Sequence, residues 1–73
     1  MNSSAQLDRS FLALSHPARR AIVEKLAQGP ATVGAASAGL GLSKPAVSKH
    51  VRVLEDAGLV RRDVNGREHR LRL

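Results

Sequence analysis

The chain has 73 residues, with twelve Lys or Arg, six Asp or Glu and no cysteine. This length suits a single domain, residues 1–73, which buries only roughly 60% of its unfolded surface on folding. The lack of cysteine excludes disulfide bonds and thiolate metal sites. A formal charge of +6 favours a polyanionic partner. Because Phe11 is the only aromatic residue, single strands cannot be bound by repeated base stacking, and double-stranded DNA is the expected polyanion.

The N-terminal segment has neither a basic stretch nor an apolar stretch of the kind found in signal peptides. No apolar run approaches the ~20 residues that a membrane-spanning helix needs. We therefore expect a cytoplasmic protein. Residues 1–4 are expected to be disordered. The first helix is predicted after them, because Leu7, Phe11 and Leu14 recur on one helical face.

A second helix is predicted directly after His16-Pro17. The residue before a proline avoids the α region, and proline fits the first turn of the following helix. Ser15 or His16 is the expected cap. Helical spacing of Ile22 and Leu26 indicates a buried face, and Gly29-Pro30 ends the helix.

Two further helices are expected after a short extended stretch at residues 31–33. Residues 33–40 predict a small, alanine-rich third helix, and residues 41–42 form the turn that follows it. The fourth helix covers about residues 43–57, with Ser43 as its cap and Pro45 in its first turn. Val47, Val51 and Leu54 recur along its apolar face.

After Gly58 the pattern changes to that of a β-hairpin. Residues 59–64 and 67–73 predict two strands, joined at Asn65-Gly66, a strong two-residue turn signal. The predicted fold is mainly α with a small β-hairpin: four helices, a short strand and a two-stranded wing. This order of elements is typical of a winged helix-turn-helix.

The predicted fourth helix carries its cations on the side opposite its apolar face. A helix that reads DNA packs with one face and enters the major groove with the other. Small side chains allow close approach, a hydroxyl can bond a base edge or phosphate, and cations can contact guanine or phosphate. The alternative is that these cations only solvate a surface helix. The candidate DNA-binding residues of this helix are Ser43, Lys44, Pro45, Ala46, Ser48, Lys49 and Arg52.

The predicted wing is also basic. Arg62 and Arg67 are the candidates on the hairpin for contact with the DNA backbone or the minor groove. The alternative is that charge on an edge strand only prevents aggregation. His50 falls near the apolar face of the fourth helix and is expected to be a partly buried, hydrogen-bonded histidine. No two histidines have metal-ligand spacing on one element, so neither a metal nor a cofactor is expected.

An enzyme is not expected, since the chain has no Ser-His-Asp grouping, paired carboxylates or phosphate-binding glycine loop. Two functions remain. The favoured one is a sequence-specific double-stranded DNA-binding transcriptional regulator that acts as a repressor. The alternative is a winged-helix module that binds protein or structured RNA.

Three segments of the sequence resemble the ArsR-type winged helix-turn-helix repressors. They are residues 14–22 (LSHPARRAI), residues 41–51 (GLSKPAVSKHV) and residues 53–60 (VLEDAGLV). The resemblance covers about residues 7–73. It implies a homodimeric repressor that binds a two-fold symmetric operator, with residues 43–49 in the major groove and the hairpin as the wing.

The chain departs from that family's pattern in two places. Metal-sensing members carry a cysteine pair in the third helix, where this chain reads VGAASA at residues 33–38, so metal sensing at that site is excluded. Members also continue into a C-terminal helix that joins the first helix in the dimer interface, whereas this sequence ends at Leu73. Either the chain is a fragment, or its homodimer depends on the first helix alone.

Overall fold

The computed structural model describes residues 3–73, which form four helices and a three-stranded antiparallel sheet. The helices are α1 (Ser3–Leu14), α2 (Pro17–Ala27), α3 (Val33–Ser37) and α4 (Lys44–Asp56). The strands are β1 (Ala31–Thr32), β2 (Arg61–Asn65) and β3 (Glu68–Arg72). The predicted winged helix-turn-helix is confirmed. The short strand also pairs with the wing, which the sequence analysis did not anticipate.

Helix α1 begins at Ser3, so Ser3 and Ser4 lie in its first turn, at the end of the segment 1–4 for which the sequence predicts disorder. Positions 1 and 2 lie outside the described residues.

Side-chain caps fix where three of the helices begin. His16 is the cap of α2, and its Nδ1 accepts a hydrogen bond from the backbone N–H of Ala18 at 3.1 Å. Thr32 and Ser43 cap α3 and α4 through their hydroxyl oxygens. Each cap satisfies a backbone donor that the first helical turn leaves free. The helix starts at residues 17 and 44 therefore follow from local sequence.

The helix ends differ in how well the sequence predicts them. Gly58, with φ of 73°, ends α4: its N–H donates to Glu55 O and the next N–H, of Leu59, donates to Leu54 O. This pair of bonds is a Schellman motif, which needs a left-handed residue. The third helix ends at Ser37 and not at residue 40, because Ala38 is extended and cannot continue it.

The sheet has the order β1-β3-β2, with β3 in the centre. Asn65 pairs with Glu68, so the two-residue loop is Gly66-Arg67 and not the predicted Asn65-Gly66. The shift follows from backbone conformation, because Gly66 alone takes a positive φ, of 63°, which suits a turn that begins with glycine. At the other side of β3, Leu71 pairs with Ala31 and holds the hairpin against the helices.

The core lies where α2, α4 and β3 meet. Its largest fully buried side chains are Ile22, Val51, Leu54 and Leu71. Helix α1 contributes little, since Ala13 is buried but its apolar Leu7 and Phe11 are 57% and 71% exposed. Helix α1 therefore presents an apolar face that the rest of the domain leaves uncovered. Within residues 3–73, no helix is long and apolar enough to cross a membrane.

Candidate nucleic-acid interface

Helix α4 divides into a buried face and a cationic exposed face. Val47, Val51 and Leu54 are buried against the other helices, as the sequence predicts. Lys49 and Arg52 are both exposed. The packing of the aliphatic face thus determines that the two cations point away from the domain. This arrangement leaves the outer side of a capped helix open for a groove of DNA.

The N-terminal end of α4 is also accessible. Ser43, Lys44, Pro45 and Ser48 are exposed, whereas Ala46 is half-buried. Ala46 N–H donates to the Ser43 hydroxyl at 3.3 Å, so that hydroxyl is occupied in capping. Free backbone donors in the first turn of a helix and its dipole favour an anion nearby. Lys44 adds a full positive charge at the same end.

A polar notch of about 540 Å³ separates α4 from the wing. Ser48 and Arg52 line one wall, Arg62 lies on the wing side, and Glu55 and Asp56 close the end toward the helix C-terminus. Hydroxyl, guanidinium and carboxylate groups therefore meet in one concave place. Such a mixed set can donate to phosphates and base edges and can accept from the amino groups of base edges.

The predicted DNA contact Arg62 is tied into the protein. Its Nη2 donates to Glu55 Oε1 at 2.8 Å, and its Nη1 lies 3.0 Å from His69 Nδ1. The guanidinium thereby joins α4 to both strands of the hairpin. Arg62 remains about one-quarter exposed, at 28%, so one edge still faces the notch.

The tip of the wing carries Arg67, which is exposed at the second position of the two-residue loop. The two arginines of β3 are paired with acidic residues: Arg70 with Glu68 at 3.4 Å and Arg72 with Asp63 at 2.9 Å. Exposed pairs of this kind contribute little stability, but they lower the local positive charge.

Sequence reasoning missed the role of Arg19. It is only 8% exposed, and its Nε donates to Ala13 O at 2.7 Å while Nη2 donates to Leu12 O at 3.0 Å. Its Nη1 lies 3.2 Å from His50 Nδ1. In the sequence Arg19 stands in an Arg-Arg pair that reads as a solvated helix surface, and nothing local signals these partners.

His50 is buried and hydrogen-bonded, as the sequence predicts. Burial lowers its pKa below the ordinary value, and the nearby His16, Arg19 and Lys49 lower it further. The imidazole ring of His16 lies 4.4 Å from that of His50 between ring centroids. Neutral pH therefore keeps His50 uncharged. Among residues 3–73, no group of three or more histidine or acidic side chains is placed to hold a metal ion.

Comparisons with known proteins agree with this arrangement. A sequence profile described as a helix-turn-helix domain matches residues 14–63. The chain is 48% identical over 60 residues to the HTH-type transcriptional regulator Rv2034 of Mycobacterium tuberculosis. The match covers 82% of this chain and 56% of that protein. The chain thus spans about half the length of this curated relative.

Solved structures show the same fold. The crystal structure of the ArsR family transcriptional regulator RHA00566 matches with a TM-score of 0.90 and 37% identity, covering 93% of this chain and 75% of that one. The homodimeric winged helix-turn-helix DNA-binding domain of Mb0332 from Mycobacterium bovis matches with a TM-score of 0.87 and 28% identity. That match covers 96% of this chain and 65% of the other.

Proposed function

The chain belongs to the ArsR family of winged helix-turn-helix transcriptional regulators, a family of regulators and not of enzymes, and on that premise we propose that it represses transcription by binding double-stranded DNA. Helix α4 enters the major groove, and the wing contacts the backbone or the minor groove. A repressor that covers a promoter in this way acts where the DNA is, in the cytoplasm.

One observation supports the proposal above the others. Helix α4 is capped, packed on its aliphatic face, and exposes Lys49 and Arg52 on the opposite face. A solvated surface helix alone would not account for the polar notch beside α4 or for the exposed Arg67 at the wing tip. The exposed cations can neutralise phosphates, which supplies affinity, and we expect Ser48 and Arg52 to reach base edges.

The proposed contact set has three groups. The N-terminal end of α4 contributes phosphate contacts through Lys44 and through the O–H of Ser43, whose oxygen accepts the capping bond, while the small residues Pro45 and Ala46 let the backbone approach the duplex. The middle of α4 contributes Ser48, Lys49 and Arg52. The wing contributes Arg67 directly and Arg62 chiefly through its bond to Glu55, which fixes the wing beside the groove.

Binding is expected to depend on DNA sequence. We expect fluorescence anisotropy to show tighter binding to a promoter fragment than to a scrambled duplex of equal length at the same salt concentration. Affinity for the promoter should fall with salt at a log–log slope of about −0.9 per phosphate contact. Equal affinity for both duplexes, or preference for a structured RNA, would favour the alternative of an interaction module that does not read an operator.

We also propose a homodimer that forms through α1. The apolar face of α1 at Leu7 and Phe11, flanked by the exposed Leu12, is uncovered in the single chain. A second copy would bury this face and place two α4 helices about 34 Å apart, one turn of DNA. The homodimeric Mb0332 domain supports this arrangement, although the α1 contact itself is our proposal.

Charge at Phe11 is expected to break the dimer. The variant Phe11→Glu should sediment as a monomer and should bind the promoter fragment more weakly, because burying an unpaired carboxylate is strongly unfavourable. The fold should persist, since Phe11 is 71% exposed. Val64→Glu, which places the same charge at an exposed apolar position of the wing, is the control and should leave the sedimentation coefficient of the free protein unchanged. A dimeric Phe11→Glu protein would contradict the α1 interface.

A further inference from the structure

Arg19 connects three elements from a buried position. Its guanidinium reaches two backbone carbonyls, of Leu12 and Ala13, at the C-terminal end of α1. The last turn of a helix leaves its carbonyls without helical partners, and here Leu12 O also accepts from the backbone N–H and the hydroxyl of Ser15, at 3.2 and 2.7 Å. The third bond goes to His50, which lies on the inner side of α4. One side chain of α2 thereby ties the end of α1 to the middle of α4.

The chemistry of the bond to His50 allows only one protonation state. An arginine side chain only donates hydrogen bonds, so His50 Nδ1 must accept. Nδ1 accepts only when the ring is neutral and its proton is on Nε2. A protonated ring would turn a second N–H donor, and a positive charge, toward the Arg19 guanidinium at a separation of 3.2 Å.

The surroundings of His50 offer no compensation for that charge. Arg19 faces it from α2, His16 from the turn between α1 and α2, and Lys49 follows it on α4 itself. Helix α1 takes part through the carbonyls of Leu12 and Ala13, which accept hydrogen bonds from the Arg19 guanidinium. Arg19 and Lys49, the charged groups acting on the ring, are both cationic. Protonation would therefore set two positive charges against each other at this contact, which we expect α4 to relieve by moving away from Arg19.

We propose that Arg19 is a positioning residue for DNA binding, which holds α4 at its working angle to α1 only while His50 is neutral. The inference rests on the proposed function and deepens it. Helix α1 is the proposed dimer contact and α4 the proposed reading helix. The bond from Arg19 to His50 acts together with a direct bond from Gln6 Nε2 on α1 to Ala57 O at the end of α4, at 2.8 Å, and acidification releases the first of the two.

The direction of the pH effect follows from the lowered pKa of His50. Above about pH 6.5 the ring is neutral in both folded and unfolded chains, and the contact is intact. As the pH falls below that value, the unfolded chain takes up a proton first, so stability declines toward the folded-state pKa. DNA affinity should decline only as the pH approaches the lowered pKa of the folded ring, because the folded protein keeps His50 neutral until then and a protonated His50 no longer accepts the bond from Arg19.

The test compares the wild-type protein with His50→Gln and Arg19→Lys on one duplex selected from a random-sequence library. Glutamine can accept the bond from Arg19 through its amide oxygen but does not titrate, and both proteins retain His16 and His69. Anisotropy is measured from about pH 8 to about pH 5.5 at fixed ionic strength, with far-ultraviolet circular dichroism at each pH to verify folding.

We expect wild type and His50→Gln to bind alike at the upper end of this range. At the lower end, wild type should be about tenfold weaker than His50→Gln, the scale of one lost charge-assisted hydrogen bond. Arg19→Lys, which cannot span the three acceptors, should be about tenfold weaker already at the upper end and should show no further His50-dependent loss.

Several results would overturn the proposal. Parallel pH profiles of wild type and His50→Gln would do so. A gain in the DNA affinity of wild type at low pH would also do so, because it would show that the DNA phosphates attract the imidazolium. Unfolding of the wild type before its affinity falls would show that the contact only stabilises the domain. If His50→Gln does not fold, parallel profiles of wild type and Arg19→Lys would overturn it. No binding by wild type at any pH would instead contradict the proposed function.

Discussion

Replacing Lys49 and Arg52 together with alanine is expected to weaken binding to a selected DNA duplex by about 100-fold. Both side chains lie on the exposed face of α4 and take no part in the core. A hydrogen bond to a charged group contributes about 1.5 kcal/mol, so the loss of two corresponds to about two orders of magnitude in the dissociation constant. The log–log salt slope should become shallower by about 0.9 for each phosphate contact removed.

The control removes the same two charges elsewhere. Arg20 and Lys25 are exposed on α2, so Arg20→Ala combined with Lys25→Ala lowers the net charge equally without touching α4. This variant should lose only the small, long-range part of the attraction to DNA. Equal losses in the two double variants would mean that overall charge, and not the outer face of α4, determines binding. Thermal unfolding of the α4 variant should match the wild type, whereas Arg20→Ala also removes the bond from Arg20 Nη1 to Leu14 O at 2.7 Å and should lower the unfolding midpoint slightly.

The largest loss of stability is expected for Leu54→Ala. Leu54 is fully buried on α4, in the core shared with α2 and β3. Truncating a buried leucine lowers the free energy of unfolding by about 2–5 kcal/mol, because transfer energy is lost and a cavity remains. Small domains have only about 0.05–0.15 kcal/mol of stability per residue, so this loss removes a large fraction of the total. Urea unfolding followed by circular dichroism measures it.

Leu73→Ala is the matched control, since Leu73 is 51% exposed and the substitution removes the same atoms. Its unfolding midpoint should change little. DNA binding by Leu54→Ala should recover at low temperature or with a stabilising osmolyte, because the substitution does not alter the exposed face of α4. A Leu54→Ala protein as stable as Leu73→Ala would contradict the core described above.

Local chemistry made the helix starts and the fold predictable. His16-Pro17 and Ser43 each combine a capping side chain with a proline in the first turn, a signal that does not depend on tertiary packing. The buried faces of α2 and α4 follow from helical spacing in the same way. The orientation of Lys49 and Arg52 is a consequence of that spacing, so the exposed site on α4 was also accessible from the sequence.

The remaining features depend on partners that are distant in the sequence. Arg19 is buried because carbonyls at the end of α1 and a ring on α4 happen to surround it, and no short motif encodes this. The engagement of Arg62 by Glu55 is likewise visible only after the hairpin folds back onto α4. The one-residue shift of the hairpin loop reflects Gly66, whose left-handed backbone suits either turn position.

The pairing of Ala31 with Leu71 gives the sheet two kinds of kinetic behaviour. Strands β2 and β3 are neighbours in the chain and meet through a two-residue loop, so their closure carries little entropic penalty. The contact between β1 and β3 closes a loop that contains α3, α4 and β2, so we expect it to form only when those elements are in place. Amide protons near the wing tip should therefore exchange through local opening, whereas those at Leu71 exchange only when the whole domain unfolds.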